Sequence, residues 1–183
     1  RVLFRSLSPH FIKQRLGAPR NLDGFIGHTK TVTCICAIDE STLATGSLDH
    51  TIIIWKKNML DEWVLSQRLG NLDNEDITLG HTDWIGSIQK TEDGHLLSFG
   101  EQAIIWLQDE NGFWQIEQQI INTPDMQTLY EGAINAIPSI HLDKQKIIVG
   151  YGDRTAMIWQ DIQGRWMPTE QIGITDRKST RLN

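Results

Sequence analysis

Apolar residues come in short runs separated by turn formers, and four of the runs end in an aromatic at nearly constant spacing. Val2-Leu3-Phe4, Ile52-Ile53-Ile54-Trp55, Ala103-Ile104-Ile105-Trp106 and Ala156-Met157-Ile158-Trp159 close on Phe4, Trp55, Trp106 and Trp159, at steps of 51, 51 and 53 residues. A second aromatic, Phe11, Trp63, Trp114 or Trp166, follows each after seven or eight residues. Such a period predicts tandem supersecondary units, each unable to bury its apolar face alone.

The best-formed unit opens on Gly27-His28. Val32 to Ile38 reads as a near-continuous apolar strand covered on both faces. The turn Asp39-Glu40-Ser41 leads to a second strand, Leu43 to Ser47. The turn Leu48-Asp49-His50 leads to a third, Thr51 to Trp55, rich in β-branched residues. Trp63 to Leu69 alternates more and reads as an outer strand. The predicted unit is thus a four-stranded antiparallel sheet with no helix.

A second unit opens on Gly80-His81, with strands Ile85–Gln89, Leu96–Ser98, Ala103–Trp106 and Trp114–Ile121. Asp93-Gly94 and Asn111-Gly112 are its hairpin signals, since both pairs tolerate positive φ. A third has strands Ile134–Ile137, Lys146–Val149, Ala156–Trp159 and Trp166–Ile172, turning at Gln163-Gly164. At the amino terminus, Ser8-Pro9 to Gly17 has the signature of a capped helix. The match of Gln14-Arg15-Leu16-Gly17 to Gln67-Arg68-Leu69-Gly70 instead makes residues 2–16 the last two strands of a preceding unit, the reading adopted. The expected divisions are 1–17, 18–69, 70–121, 122–175 and a tail, 176–183, that resembles translated adaptor sequence.

The chain has 183 residues, 39% of them hydrophobic and 22% charged, within the ordinary soluble range. No apolar run nears the ~20 residues that span a bilayer. The tail carries three basic residues and one acidic one, so setting it aside takes the formal net charge from −6 to −8. That balance disfavours phosphate-backbone binding as the main activity. Cys34 and Cys36 share one strand face without further ligands at metal spacing, and read as small apolar fillers in a reducing, cytoplasmic setting.

Gly-His, then strand-turn-strand ending in Asp and, six residues on, Trp, resembles the WD40 repeat. The run Leu43-Ala44-Thr45-Gly46-Ser47-Leu48-Asp49-His50-Thr51-Ile52-Ile53-Ile54-Trp55 carries the likeness most closely. The resemblance covers residues 2 to about 172 and implies an all-β fold: a β-propeller fragment of four-stranded antiparallel blades in an open ring, whose remaining blades belong to flanking sequence. It also implies a buried chain of His28, Thr45, Asp49 and Trp55, repeated in part by His81 and Trp106 and by Asp153 and Trp159. Gly100-Glu101-Gln102 stands where the second Asp is expected. Tyr130 and Val149 replace the third His and hydroxyl. No closing aromatic is followed by Asp, so the Trp-Asp-x-Arg box of cullin-adaptor propellers is missing.

His28, Thr45 and Asp49 mimic a catalytic triad, but slots that recur along a chain point to architecture rather than to one reaction site. The expected function is a non-catalytic protein-interaction scaffold without cofactor or metal. The alternative is a recognition or regulatory propeller of a multidomain enzyme, such as a ubiquitin ligase, kinase or nucleotide-hydrolysing protein. A propeller enzyme of the kelch kind is disfavoured because the kelch double glycine is absent. The resemblance places partner contacts on the face of the Gly-His loops: Thr31, Thr33, Leu48, Trp84, Gly86, Phe99, Ala133, Asn135 and Gly152. Trp84 is the expected anchor for a protein or peptide. Trp63, Trp114 and Trp166 are expected to pack between blades.

Overall fold

The computed structural model describes residues 16, 27–72, 77–100, 102–120, 140–143, 146–150 and 156–173. These form three four-stranded antiparallel sheets in chain order. Blade 1 comprises β1 (Val32–Asp39), β2 (Thr42–Ser47), β3 (Ile52–Lys57) and β4 (Trp63–Leu69). Blade 2 comprises β5 (Ser87–Lys90), β6 (Leu96–Phe99), β7 (Ala103–Gln108) and β8 (Trp114–Ile120). Blade 3 comprises β9 (Ile140–Asp143), β10 (Lys146–Gly150), β11 (Ala156–Asp161) and β12 (Trp166–Ile172). Among the described residues the one helical element is a 3-10 turn, Ile77–Leu79. Gly112 and Gly164 sit at φ 81° and 78°, the left-handed turn geometry that their hairpins require.

The described part of the first strand of blade 3 is Ile140–Asp143. Asp143 pairs with Lys146 as Asp39 pairs with Thr42 in blade 1, so Ile140–Asp143 is the stretch entering the hairpin. The apolar residues 134–137, read earlier as that strand, lie outside the described residues. So do the tail and, apart from Leu16, the strands expected over residues 2–16.

The blades stack through two apolar layers. Ile38, Ala44, Ile52, Ile54 and Leu69 of blade 1 meet Ile88, Leu96, Ile104, Trp106 and Trp114 of blade 2. Leu97, Phe99, Ile105 and Ile120 of blade 2 meet Ile147, Val149, Met157, Trp159 and Trp166 of blade 3. Each layer removes mostly aliphatic surface from water, the main term that binds one blade to the next. Trp114 and Trp166 thus pack between blades, whereas Trp63 is half-buried with the Lys57 ammonium 5.3 Å from its ring centroid.

A polar clamp repeats with the same period. Every third and fourth strand pair carries a bulge beside its closing tryptophan: Trp55 pairs with Leu65, Trp106 with Ile116 and Trp159 with Pro168, leaving Ser66, Glu117 and Thr169 as extra residues. The next residue in blades 1 and 2 is glutamine. Gln67 Nε2 donates to Trp114 O at 2.8 Å while Trp114 N donates to Gln67 Oε1 at 2.8 Å. Gln118 treats Trp166 in the same way, at 3.0 and 2.9 Å. One carboxamide thus satisfies both polar groups of a neighbouring backbone residue, which burial would otherwise make costly.

Candidate binding face and the polar network beneath it

In blade 1 the turn between β2 and β3 is long enough to fold Asp49 under the Gly27-His28 loop. The carboxylate is buried. It accepts from Thr29 N at 2.8 Å, Thr51 Oγ1 at 2.7 Å, Thr51 N at 3.1 Å and His28 Nδ1 at 3.1 Å. His28 Nε2 lies 2.8 Å from Thr45 Oγ1, which also accepts Trp55 Nε1 at 2.8 Å. With His28 neutral and protonated on Nδ1, every member has a partner: indole to hydroxyl, hydroxyl to imidazole, imidazole to carboxylate. Burial alone raises the Asp49 pKa, but the bonds from His28, Thr51 and Thr29 N more than offset it and hold the carboxyl well below its usual range. Arg68 braces the network from β4, donating to Thr51 Oγ1 at 3.0 Å and to Gly27 O at 2.8 Å.

Blade 2 builds half of this. Ser98 takes the hydroxyl slot, 2.6 Å from His81 Nε2 and accepting Trp106 Nε1 at 2.7 Å. Sequence spacing hid Ser98, because Thr45 lies ten residues before its tryptophan and Ser98 only eight. The strand register reveals it: Thr45 faces Ile53 and Ser98 faces Ile104, each two residues before the tryptophan. The missing residues come out of the turn. A side chain at Gly100 would put its Cβ 2.6 Å from Trp84 O, so Gly100 itself cannot be replaced by a carboxylate residue on this backbone. Gln102 fills the space instead, donating to Gly80 O at 3.1 Å, the contact Arg68 makes to Gly27 in blade 1. Burial, reinforced by His50, pushes the His81 pKa down to about 3, so its imidazole is neutral.

Thr45 and Ser98 are buried, and each oxygen is already held by an indole and an imidazole. Among the described residues no group of three or more His, Cys, Asp or Glu is placed to hold a metal ion. None of their helices is long and apolar enough to cross a membrane. Burial raises the pKa of Cys34 and Cys36, leaving both thiols protonated.

Above the network, backbone bonds draw three expected contact residues into one patch. Leu48 N donates to Thr31 O at 3.0 Å, and Ile85 N donates to Ser47 O at 3.1 Å, which brings Leu48, the residue after Ser47, and Trp84, the residue before Ile85, to the blade junction. Leu48 is 37% and Trp84 39% exposed, with Thr31 and Val32 exposed beside them. Trp84 is braced by its own amide, which donates to Asp83 Oδ1 at 2.7 Å. Thr33 is exposed but committed: its hydroxyl donates to Gly46 O at 3.1 Å and to Ile85 O, tying blade 1 to blade 2. Gly86 is half-buried, its amide bonded to Phe99 O at 2.8 Å. Phe99 corrects the sequence reading: it is 1% exposed, inside the layer between blades 2 and 3, because the shortened turn keeps it within β6. Asn135, Ala133, Gly152 and Asp153 lie outside the described residues, and Trp159 is buried with Val149 at its hydroxyl slot.

The family model for the WD domain, G-beta repeat, matches residues 20–56, the stretch holding His28, Thr45, Asp49 and Trp55. Blade 1 through β3 thus matches a WD40 repeat. The crystal structure of Saccharomyces cerevisiae Sqt1 is similar in fold, with a TM-score of 0.56 and 13% sequence identity over 80% of this chain. The chain spans 36% of the length of Sqt1.

Proposed function

We propose that the chain is a non-catalytic scaffold that captures a protein or peptide on the face formed by Thr31, Leu48 and Trp84. The supporting observation is that two large apolar side chains from adjacent blades stand exposed over buried hydrogen-bonded networks. A preorganised aromatic with a polar surround is the usual make-up of an interface hot spot, since little ordering cost remains on binding. The network beneath serves this role by stiffness: it fixes the turn bearing Leu48 without using surface groups.

Affinity capture with the wild-type chain, Trp84→Ala and Leu48→Asp tests this, alongside thermal melts. The expected result is partners retained by the wild type and lost from both variants at unchanged melting temperature. Identical captured sets for all three would overturn it. Loss of folding together with binding in Trp84→Ala would make that residue a packing element and leave Leu48→Asp to decide.

A further inference from the structure

The exposed indole of the proposed face has a charged companion. Asp83, half-buried, precedes Trp84 and turns its Oδ1 onto the Trp84 amide at 2.7 Å, which sets the carboxylate at the root of the exposed side chain. That bond uses one lone pair and leaves the charge unanswered. Among the described residues no lysine, arginine or histidine pairs with it, since their ion pairs fall on Asp49, Asp61, Asp93 and Glu117. The Trp84 ring is equally unclaimed: the one cation placed over a described indole is Lys57, 5.3 Å from the ring centroid of Trp63.

Together these two groups select more narrowly than either does alone. The electron-rich face of an indole attracts a cation, and a guanidinium suits it best because its flat faces also stack on the ring. A carboxylate accepts the guanidinium N–H groups in charge-assisted bonds. A purely apolar partner would cover the ring but strip water from the carboxylate without replacing its bonds, which is costly. An acidic partner would be repelled. His81, two residues before Asp83, is held neutral by burial and supplies no opposing charge. The chain as a whole carries a formal charge of −6, so its field draws a basic segment in.

We infer that the partner captured on this face presents an arginine to Asp83 and Trp84, its guanidinium stacked on the indole and donating to the carboxylate, with an apolar neighbour on Leu48. The inference rests on the reading of the face given above and narrows it, from any protein or peptide to a segment that joins a guanidinium to an apolar side chain. Asp83 is then a specificity residue. It meets the partner while keeping its bond to the Trp84 amide.

A phage-displayed random heptapeptide library panned on the wild-type chain tests this, with Asp83→Asn, Trp84→Ala and Leu48→Asp as parallel baits. Asparagine keeps an Oδ1 acceptor for the Trp84 amide and removes only the charge, so the melting temperature of that bait should match wild type. The expected wild-type binders carry arginine beside an apolar residue. Titrated by fluorescence anisotropy, such a peptide should lose about fivefold or more in affinity when its arginine becomes citrulline, and a like amount on Asp83→Asn. Added salt should weaken it on wild type and much less on Asp83→Asn. The citrulline exchange alters the peptide alone and so decides whatever the stability of a bait. Binders without a basic residue, or held equally by Asp83→Asn, overturn the inference and leave the face standing. Lysine serving as well as arginine overturns the guanidinium assignment. No enrichment, or binders indifferent to both Trp84→Ala and Leu48→Asp, overturns the reading of the face itself and this inference with it.

Discussion

Blades 1 and 2 bury the same imidazole against the same kind of hydroxyl and indole, yet among the described residues only blade 1 sets a carboxylate against the imidazole. His28 therefore sits in a chain anchored by a buried anion, whereas His81 meets Ser98 and is kept neutral by burial. The difference traces to the β2–β3 and β6–β7 turns. A longer turn returns Asp49 beneath the Gly-His loop, and a shorter one brings Gly100 against Trp84 O. Turn length decides whether a blade is pinned by charge or by packing.

The largest expected effect removes that charge. Asp49→Ala strands His28 Nδ1, Thr51 and Thr29 N, and each buried donor left without its acceptor costs about 1–3 kcal/mol. Gln102→Ala in blade 2 loses one bond to Gly80 O and is expected to cost about 1–3 kcal/mol. Chemical denaturation of both variants measures the gap. Equal losses would refute the view that blade 1 alone is pinned by charge.

Acid is the second probe, acting on the two blades in different windows. His81 binds its proton only near pH 3 when folded, against about 6.5 unfolded, so the unfolded state takes up the extra proton. Its contribution is whole above pH ~6.5 and falls as pH drops toward ~3, by up to about 1.4 kcal/mol per pH unit. Asp49 also has its pKa held down in the fold, but from a lower unfolded value. Its contribution is present above the unfolded value of ~3.9 and is lost only below it. Hydrogen exchange read blade by blade at pH 5 should therefore show blade 2 loosened first, and His81→Gln should flatten that slope.

The repeat itself was legible in the sequence because tryptophan and glycine mark a period that survives divergence. The blade 1 network was legible through the spacing from His28 to Trp55. Ser98 and Phe99 were misread for one reason: motif spacing counts residues along the chain, whereas the slots are fixed across strands, and a turn two residues shorter shifts everything counted through it. The glutamine clamp was present as Gln67 and Gln118, 51 residues apart like Trp55 and Trp106. A polar residue on an outer strand looks solvated until the bulge beside it is known to turn it toward the next blade.

The clamp supplies a third test, at the junction the two blades share. Gln67→Glu keeps the acceptor for Trp114 N but sets a carboxylate against Trp114 O, with an expected loss of about 1–3 kcal/mol at neutral pH. Protonating the new carboxyl restores a donor. Relative to wild type, the deficit should shrink as pH falls through about 4.3. A deficit that does not change with pH would mean the amide contributes by shape rather than by its two bonds.

The smallest effect is expected in blade 3, where Glu170 stands at the clamp position: it faces Ile158 as Gln67 faces Ile54 and Gln118 faces Ile105. It is exposed, and no described backbone lies across from it as Trp114 lies across from Gln67. Glu170→Gln should therefore change stability by no more than about 0.5 kcal/mol, the usual range for a surface site. The substitution is informative because it installs the complete clamp where nothing described is clamped. A gain above about 1 kcal/mol would require an amide and a carbonyl already seated against β12, since a free carboxamide gains nothing over a hydrated carboxylate.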